Sequence, residues 1–202
     1  STRLKLKLSA GGLVNRYNLW VYVDNTEHRG THSYMLSDTL DASTVKALDA
    51  GTRVLLTPGH SSIERQSVGG LFTPDYWNYA MFKTISENNG KPVSPGTLGM
   101  LMDPDHPVFG HFPTDGWSDW QWWSIALNSR PLILNSLDKS YFPIIQTIDN
   151  VERNHKLGIL MEFKVGKGSV LLCTTNLEAI SDYVEGRAYV SAIEEYISSD
   201  SF

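Results

Sequence analysis

SYMLSDTLDASTVKALDAGTRVLLTPG, residues 33–59, contains two apolar runs on either side of a helical pattern. Its first five residues predict a short strand, and the run TRVLLTP predicts an apolar one. Between them, Asp41 can cap a helix over residues 42–50, and Gly51 suits the left-handed conformation that often ends helices. Strand, helix and buried strand in this order predict a βαβ unit, and therefore a parallel sheet.

Further elements are predicted downstream of this unit. Residues 74–90 indicate a helix, because Pro74 suits a first turn and an Asn-Asn-Gly run ends the pattern. TLGMLM, RPLILNSL and FPIIQTIDN predict strands. Two more strands are joined across Gly166-Lys167-Gly168, a hairpin signal, and EGRAYVSAIEEYISS predicts a closing amphipathic helix. The sum is an α/β domain over residues 25–202, with parallel strands first and an antiparallel hairpin late.

Residues 1–24 differ in character from the rest of the chain. RLKLKLS alternates strictly, which places Leu4, Leu6 and Leu8 on one face of a half-buried strand. YNLWVYV, residues 17–23, is rich in β-branched and aromatic residues and predicts a second strand. Because two strands alone are marginal in water, we expect this segment to be the terminal strands of an upstream β-sandwich.

Composition and charge argue against several classes of partner. The 202 residues include 17 Lys and Arg against 22 Asp and Glu, a net charge of −5 with no basic stripe, which argues against nucleic acid. No apolar run approaches the roughly 20 residues of a membrane span, so we expect no membrane insertion. The single cysteine, Cys173, excludes an internal disulfide and lies in the apolar run SVLLCTT, which predicts a buried thiol.

Gly59-His60-Ser61-Ser62-Ile63 nearly matches the G-x-S-x-G nucleophile elbow. The second glycine is replaced by Ile63, and a loop follows where the elbow needs a helix. A small hydrolase that uses Ser61 or His60 is therefore the least favoured hypothesis. The favoured interpretation is a polar loop at the carboxyl end of a parallel strand, which is where open α/β sheets bind ligands.

A loose cluster of metal-capable side chains comprises Asp103, Asp105, His106 and His111. The prolines and the glycine between them indicate turns instead, and no H-E-x-x-H or paired C-x-x-C spacing is present. No pair of carboxylates is singled out for glycosidase chemistry, and VGKGS is too short for a phosphate loop. The sequence therefore predicts no metal ion and no cofactor.

DGWSDWQWWSIA, residues 115–126, contains four tryptophans, at positions 117, 120, 122 and 123. In a helix, positions 117, 120 and 123 form one stripe, and in a strand, position 123 opposes 120 and 122. Neither conformation turns all four rings to one side, so at least one or two must pack. The alternative role for the exposed rings is to stack on a sugar, above all Trp117 or Trp120 beside the polar Asp119.

The hypothesis of a carbohydrate-binding site extends beyond this stretch. Asp75, His60 and Asp119 are expected to converge at the carboxyl edge of the sheet. The expected contacts with a carbohydrate or a neighbouring domain are Trp117, Asp119, Trp120, Trp77, Asp75 and His60.

YNLWVYV, GGLFTPDYWNYAMFK, DPDHPVFGHFPTDGWSDWQWWSI and NSRPLILN resemble the C-terminal region of bacterial glycoside hydrolase family 2 proteins of the β-galactosidase-like group. The resemblance covers nearly the whole chain and is most specific at FTPDYWNY and DWQWW. In that family a jelly-roll sugar-binding domain, immunoglobulin-like domains and a catalytic barrel come earlier in the chain. The two catalytic glutamates lie in the barrel, so the resemblance assigns no catalytic residue here. It implies a periplasmic or other extracytoplasmic location.

The α/β part is similar to class I glutamine amidotransferase-like domains, which have HP-apolar turns like His106-Pro107-Val108 and a late G-x-G hairpin. Amidotransferases also have a cysteine in a G-x-C-x-G elbow and a late His-x-Glu pair, and this chain has neither. The resemblance implies the fold without the activity. We therefore expect a flavodoxin-like three-layer α/β domain over residues 25–202, preceded by a β-hairpin of an upstream β-sandwich.

Together these observations predict a non-catalytic accessory domain of a modular family 2 glycoside hydrolase that degrades carbohydrate. Its expected partners are the upstream β-sandwich and catalytic barrel of the same polypeptide. The alternative is a carbohydrate-binding module whose ligand is an oligosaccharide.

Overall fold

The computed structural model describes residues 1–23, 33–69, 79–91, 97, 99–151 and 153–202. The described elements are, in chain order, β1 (Thr2–Ala10), β2 (Leu13–Val21), β3 (Met35–Ser37), α1 (Ala42–Asp49), β4 (Arg53–Leu56), α2 (Tyr79–Asn88), β5 (Gly99–Met102), α3 (Trp123–Leu127), β6 (Leu132–Ile133), β7 (Ile145–Ile148), β8 (Lys156–Val165), β9 (Gly168–Cys173) and α4 (Val184–Ser198). The predicted domain boundary at residues 24–25 lies outside the described residues.

Seven of these strands form one mixed sheet in the order β3-β4-β9-β8-β7-β5, with β6 paired to β8. The first three are parallel, and every pairing from β9 onward is antiparallel. The predicted βαβ unit is confirmed, because β3 and β4 pair in parallel and α1 connects them. The late hairpin is also confirmed, since β8 pairs antiparallel with β9 in a register that joins Val165 to Gly168.

The expectation of a flavodoxin-like three-layer domain is wrong. That fold has a parallel sheet in the order 2-1-3-4-5, whereas here the antiparallel β8 lies inside the sheet and the antiparallel β5 at its edge. The physical reason lies in the connections. Only Gly166 and Lys167 separate β8 from β9, and so short a connection can join only antiparallel neighbours. The domain is therefore mixed α/β, with strands dominant.

Helix α1 forms as the sequence predicts and covers one face of the parallel strands. The Asp41 side chain accepts a hydrogen bond of 2.8 Å from the Thr44 backbone N–H, and Gly51 follows the helix at φ +96°. Leu48 is fully buried and packs with Val54 and Val170 on this face. Helix α1 therefore contacts β9, the second strand of the β8–β9 hairpin.

Helix α4 closes the larger core on the opposite face of the sheet. The amphipathic pattern is confirmed, since Tyr189, Ile193, Tyr196 and Ile197 are all buried there. The Tyr196 hydroxyl also donates a hydrogen bond of 2.6 Å to Glu162 on β8. Within the described residues, no helix is both long and apolar enough to span a membrane.

β1 and β2 form a separate two-stranded sheet, in which Leu4 pairs with Leu19 and Leu6 with Tyr17. One face of this hairpin is therefore apolar, as the alternating sequence predicts. This surface, called the apolar hairpin face below, consists of Leu4, Leu6, Leu8, Tyr17, Leu19 and Val21. Each of these side chains is 39–53% exposed, so about half of the face is open to solvent.

His106 is expected to make the stability of the fold depend on pH. Its Nδ1 accepts a hydrogen bond from the Val108 backbone N–H at 3.3 Å, and its ring packs edge-on against Tyr196 at 5.2 Å. Burial lowers the pKa of the His106 side chain, against the smaller opposing effects of Glu162 and Asp103. Because the unfolded chain then binds the proton more readily than the folded one, stability present above the ordinary histidine pKa is lost as the pH falls.

We therefore expect the melting temperature to fall between pH 7.5 and 5.5, and to fall less in His106→Asn, whose amide oxygen can still accept the capping hydrogen bond. The matched control is His111→Asn at an exposed histidine nearby, which should show the wild-type pH dependence. Thermal unfolding followed by circular dichroism is the measurement. An identical pH dependence in wild type and His106→Asn would contradict the assignment.

Candidate functional site at the hairpin junction

The second face of the hairpin is turned toward residues 115–121 of the α/β domain. Because successive side chains of a strand point to opposite faces, Asn18 and Trp20 on β2 lie on this face, and Tyr22 continues the alternation just beyond it. All three side chains are half-buried. Their contacts with Asp115, Asp119 and Gln121 form a ladder of hydrogen bonds, and this surface is called the hairpin junction below.

Asp115 holds the first rung of the junction. Its side chain is 10% exposed and accepts hydrogen bonds from the Asn18 amide and from the Arg3 guanidinium, on neighbouring strands of the hairpin. Hydrogen bonds to a charged group are typically the stronger ones, at about 1.5–3 kcal/mol net. Arg3 is 44% exposed, so solvent screens its ion pair, and the bond from Asn18 is the better protected of the two.

Asp119 holds the second rung and fixes the local backbone. Its Oδ2 accepts a hydrogen bond from Trp20 Nε1 at 2.5 Å, while its Oδ1 accepts one from the Gln121 backbone N–H at 3.1 Å. The second bond caps the short 3-10 helix Trp120–Trp122. One carboxylate therefore orders the tryptophan-rich stretch and ties it to the hairpin.

Tyr22 completes the ladder. Its hydroxyl donates to Gln121 Oε1, and the Gln121 amide nitrogen donates in turn to the Pro113 carbonyl at 3.0 Å. The Tyr22 ring stacks on Phe112 with centroids 5.7 Å apart and planes 8° from parallel. Burial raises the pKa of the Tyr22 phenol, and the carboxylates of Asp119 and Glu185 raise it further. The phenol therefore stays protonated and acts as a donor here.

The four tryptophans divide between packing and exposure. Trp122 is fully buried, whereas Trp117, Trp120 and Trp123 are 56%, 81% and 50% exposed. This confirms the prediction that at least one ring must pack. The two positions favoured for contact with a sugar or a domain, Trp117 and Trp120, are both on the surface.

The other predicted site residues lie elsewhere or outside the described chain. His60 follows β4, as expected for a residue at the carboxyl end of a parallel strand, and its Nε2 lies 3.0 Å from the Thr174 carbonyl. The Asp119 side chain contacts Trp20 and not Thr174, so His60 and Asp119 have different partners. Asp75 and Trp77 are outside the described residues.

The loop after β4 is ordered by polar contacts and not by a nucleophile elbow. Arg130 donates to Ser67 Oγ at 2.7 Å and, through its backbone N–H, to the Thr174 carbonyl at 3.1 Å. Ser61 is exposed in a turn, which leads into a three-residue 3-10 helix, Glu64–Gln66, and not into an α-helix. The strand–turn–helix geometry that activates a serine in the elbow is therefore not formed.

Two further residues with reactive or ligating side chains, Cys173 and Asp103, have structural roles. Cys173 is fully buried, as predicted, and burial raises the pKa of its thiol. Asp103 Oδ1 accepts from the Asp105 backbone N–H at 3.0 Å, which is turn chemistry. Over the residues that the structure describes, no group of three or more His, Cys, Asp and Glu side chains is placed to hold a metal ion.

The sequence reasoning missed Arg3, Asn18, Trp20, Tyr22, Asp115 and Gln121 as members of a common surface. A signal was present in the alternation of Asn18, Trp20 and Tyr22, three side chains that can donate a hydrogen bond and that share one face of a strand. Nothing local identifies their acceptors, which lie about a hundred residues further along the chain.

The fold and the junction define a mixed α/β domain that carries an attached β-hairpin. Residues 35–202 match the family model described as a domain of unknown function, DUF8487. The chain belongs to this family. The matched range begins at the first residue of β3 and contains the whole seven-stranded sheet, whereas β1 and β2 lie before it. The comparison with curated proteins gives no match.

Proposed function

We propose that the chain is a non-catalytic accessory domain of a modular, extracytoplasmic family 2 glycoside hydrolase, and that it packs on an upstream β-sandwich and shapes the enzyme. One observation carries the proposal: the hairpin is hydrogen-bonded to the α/β domain through one face and leaves its other, apolar face open. A hairpin held in this way can connect the domain rigidly to a neighbour.

The apolar hairpin face has the character of half an interface between two sheets. An exposed contiguous apolar patch on a soluble domain typically marks a contact site, and two-stranded sheets are marginal without a partner. Side chains of antiparallel sheets pack face to face across about 10 Å in β-sandwiches. The alternating leucines of β1 suit this packing, so a second β-sheet is the partner that we propose.

The absence of a catalytic role is supported by the resemblance and by the site. The resemblance to family 2 glycoside hydrolases places the catalytic glutamates in an upstream barrel. Cys173, the strongest intrinsic nucleophile of the chain, is buried in a core strand with a raised pKa, and reactive cysteines need a thiolate and access.

The proposal predicts that Leu4→Ser/Leu8→Ser destabilises the intact enzyme that contains this chain. Covering a half-exposed leucine contributes on the order of 1 kcal/mol, so we expect a loss of about 2 kcal/mol and a thermal inactivation temperature a few degrees lower. Residual hydrolysis of a β-galactoside after heating is the measurement.

The matched control is Lys5→Ser/Lys7→Ser, which alters the same strand on its other face. This variant should inactivate like the wild type. Equal inactivation temperatures for the leucine variant and the wild type would refute the packing proposal.

A further inference from the structure

A pocket of about 330 Å³ opens beside the hairpin junction, between β2 and the first turn of α4. Aromatic and polar side chains line the pocket. Those that a ligand could contact by stacking or by hydrogen bonds are Tyr17, Asn18, Trp120, Gln121 and Glu185. The volume is at the lower end of the range of about 300–1,000 Å³ that is typical of ligand sites. The pocket is therefore large enough to hold one part of a small ligand.

Trp120 offers the pocket a rigid and open aromatic surface. Its side chain is 81% exposed, more than any other large apolar side chain among the described residues. The ring does not lie on a loose loop, because the Asp119 carboxylate caps the 3-10 helix that begins at Trp120. A ring that is held in place before binding loses little conformational entropy when a ligand covers it.

The polar groups of the pocket include an oriented carboxylate and side-chain amides. Glu185 Oε1 accepts a hydrogen bond of 2.8 Å from Ser124 Oγ, which orients the carboxylate, and its second oxygen has no hydrogen bond with the described residues. Asn18 donates one amide N–H to Asp115, so its carbonyl oxygen and its second N–H are left for a ligand. None of the described residues that line the pocket is basic.

We propose that this pocket binds a neutral hexose unit of an oligosaccharide, with the apolar face of the sugar ring on Trp120 and a hydroxyl that donates to Glu185. An aromatic face beside a few oriented polar groups is the common design of small-molecule sites. A sugar acid such as glucuronate is disfavoured, because its carboxylate would meet Glu185 with Asp119 close by and no cation in the wall. This role goes beyond packing in the parent enzyme. Leu6, Tyr17 and Leu19 belong to both the pocket wall and the apolar hairpin face, so the test uses this chain alone, in which that face is open.

The test is a titration of the chain with β-1,4-linked galactotriose, followed by tryptophan fluorescence and calorimetry. The wild type is expected to bind at millimolar sugar, and Trp120→Ala to bind roughly tenfold more weakly, in line with the loss of one aromatic contact. The matched control is Trp123→Ala, a half-exposed tryptophan in the same stretch that does not line the pocket. It should bind like the wild type.

Two further measurements address the polar side of the site. A trisaccharide that contains glucuronate should bind several-fold more weakly than the neutral one, and Glu185→Gln should narrow that difference. Glu185→Gln also serves as the second variant should Trp120→Ala fold poorly. The inference is overturned if galactotriose gives no saturable signal, if Trp123→Ala weakens binding as much as Trp120→Ala, or if the acidic and neutral sugars bind equally.

Discussion

Replacement of Trp122 by alanine is expected to lower the free energy of unfolding by about 3–5 kcal/mol. Trp122 is fully buried, and its ring meets Phe112 and Tyr189 edge-on, with centroids 5.2 and 5.8 Å apart. The alanine variant loses these contacts and leaves a cavity that a close-packed core fills only in part. Since small domains are stable by about 5–15 kcal/mol, the variant would lose a large fraction of the stability of the fold.

The control for this prediction lies two residues away. Trp120→Ala removes the same side chain from the surface, where substitutions usually change stability by less than about 0.5 kcal/mol. Urea unfolding followed by circular dichroism measures both variants on one scale. Similar midpoints for Trp120→Ala and Trp122→Ala would contradict the division of the tryptophans into a core ring and exposed rings.

Local patterns in the sequence predict the elements of this fold better than their arrangement. The helix cap at Asp41, the glycine at the end of α1 and the inward face of α4 each depend on residues within a few positions of one another. The order of the strands depends on pairings between distant segments. β9 lies between β4 and β8 although more than a hundred residues separate it from β4 in the chain, and no periodicity encodes that position.

In the candidate site, too, local patterns can be predicted from the sequence and contacts between distant segments cannot. Geometry alone predicts that the four tryptophans cannot share one side, and Trp122 proves to be the packing residue. Which ring packs could not be predicted, because Phe112 and Tyr189 reach it from segments 10 and 67 residues away in the chain. The partners of Asp115 and Asp119 were missed for the same reason. The resemblance to a flavodoxin-like fold failed because it implied an all-parallel sheet, and the short β8–β9 connection allows only an antiparallel pair.

The second prediction of large effect concerns Asp115. Asp115→Ala removes the acceptor of both the Asn18 and the Arg3 hydrogen bonds, which should cost about 2–4 kcal/mol of docking free energy after allowance for the exposed Arg3. Because a two-stranded hairpin is marginal without a partner, β1 and β2 should then open more often, although Trp20 and Tyr22 keep their bonds to Asp119 and Gln121. The loss corresponds to a roughly 30- to 1,000-fold increase in opening, while the seven-stranded sheet should be unaffected.

The matched control is Asp105→Ala, which removes an exposed aspartate from the same turn-rich segment, away from the hairpin. It should leave the hairpin docked. Faster trypsin cleavage at Lys5, Lys7 and Arg16 in Asp115→Ala, but not in Asp105→Ala, would provide independent support.

Amide hydrogen exchange across β1 and β2 tests most directly the claim that the hairpin is a fixed part of this domain. We expect slow exchange of the paired hairpin amides in the wild type and in Asp105→Ala, and faster exchange in Asp115→Ala, with β4, β8 and β9 equally protected in all three proteins. Hairpin amides that already exchange freely in the wild type, or that exchange equally slowly in Asp115→Ala, would contradict this claim.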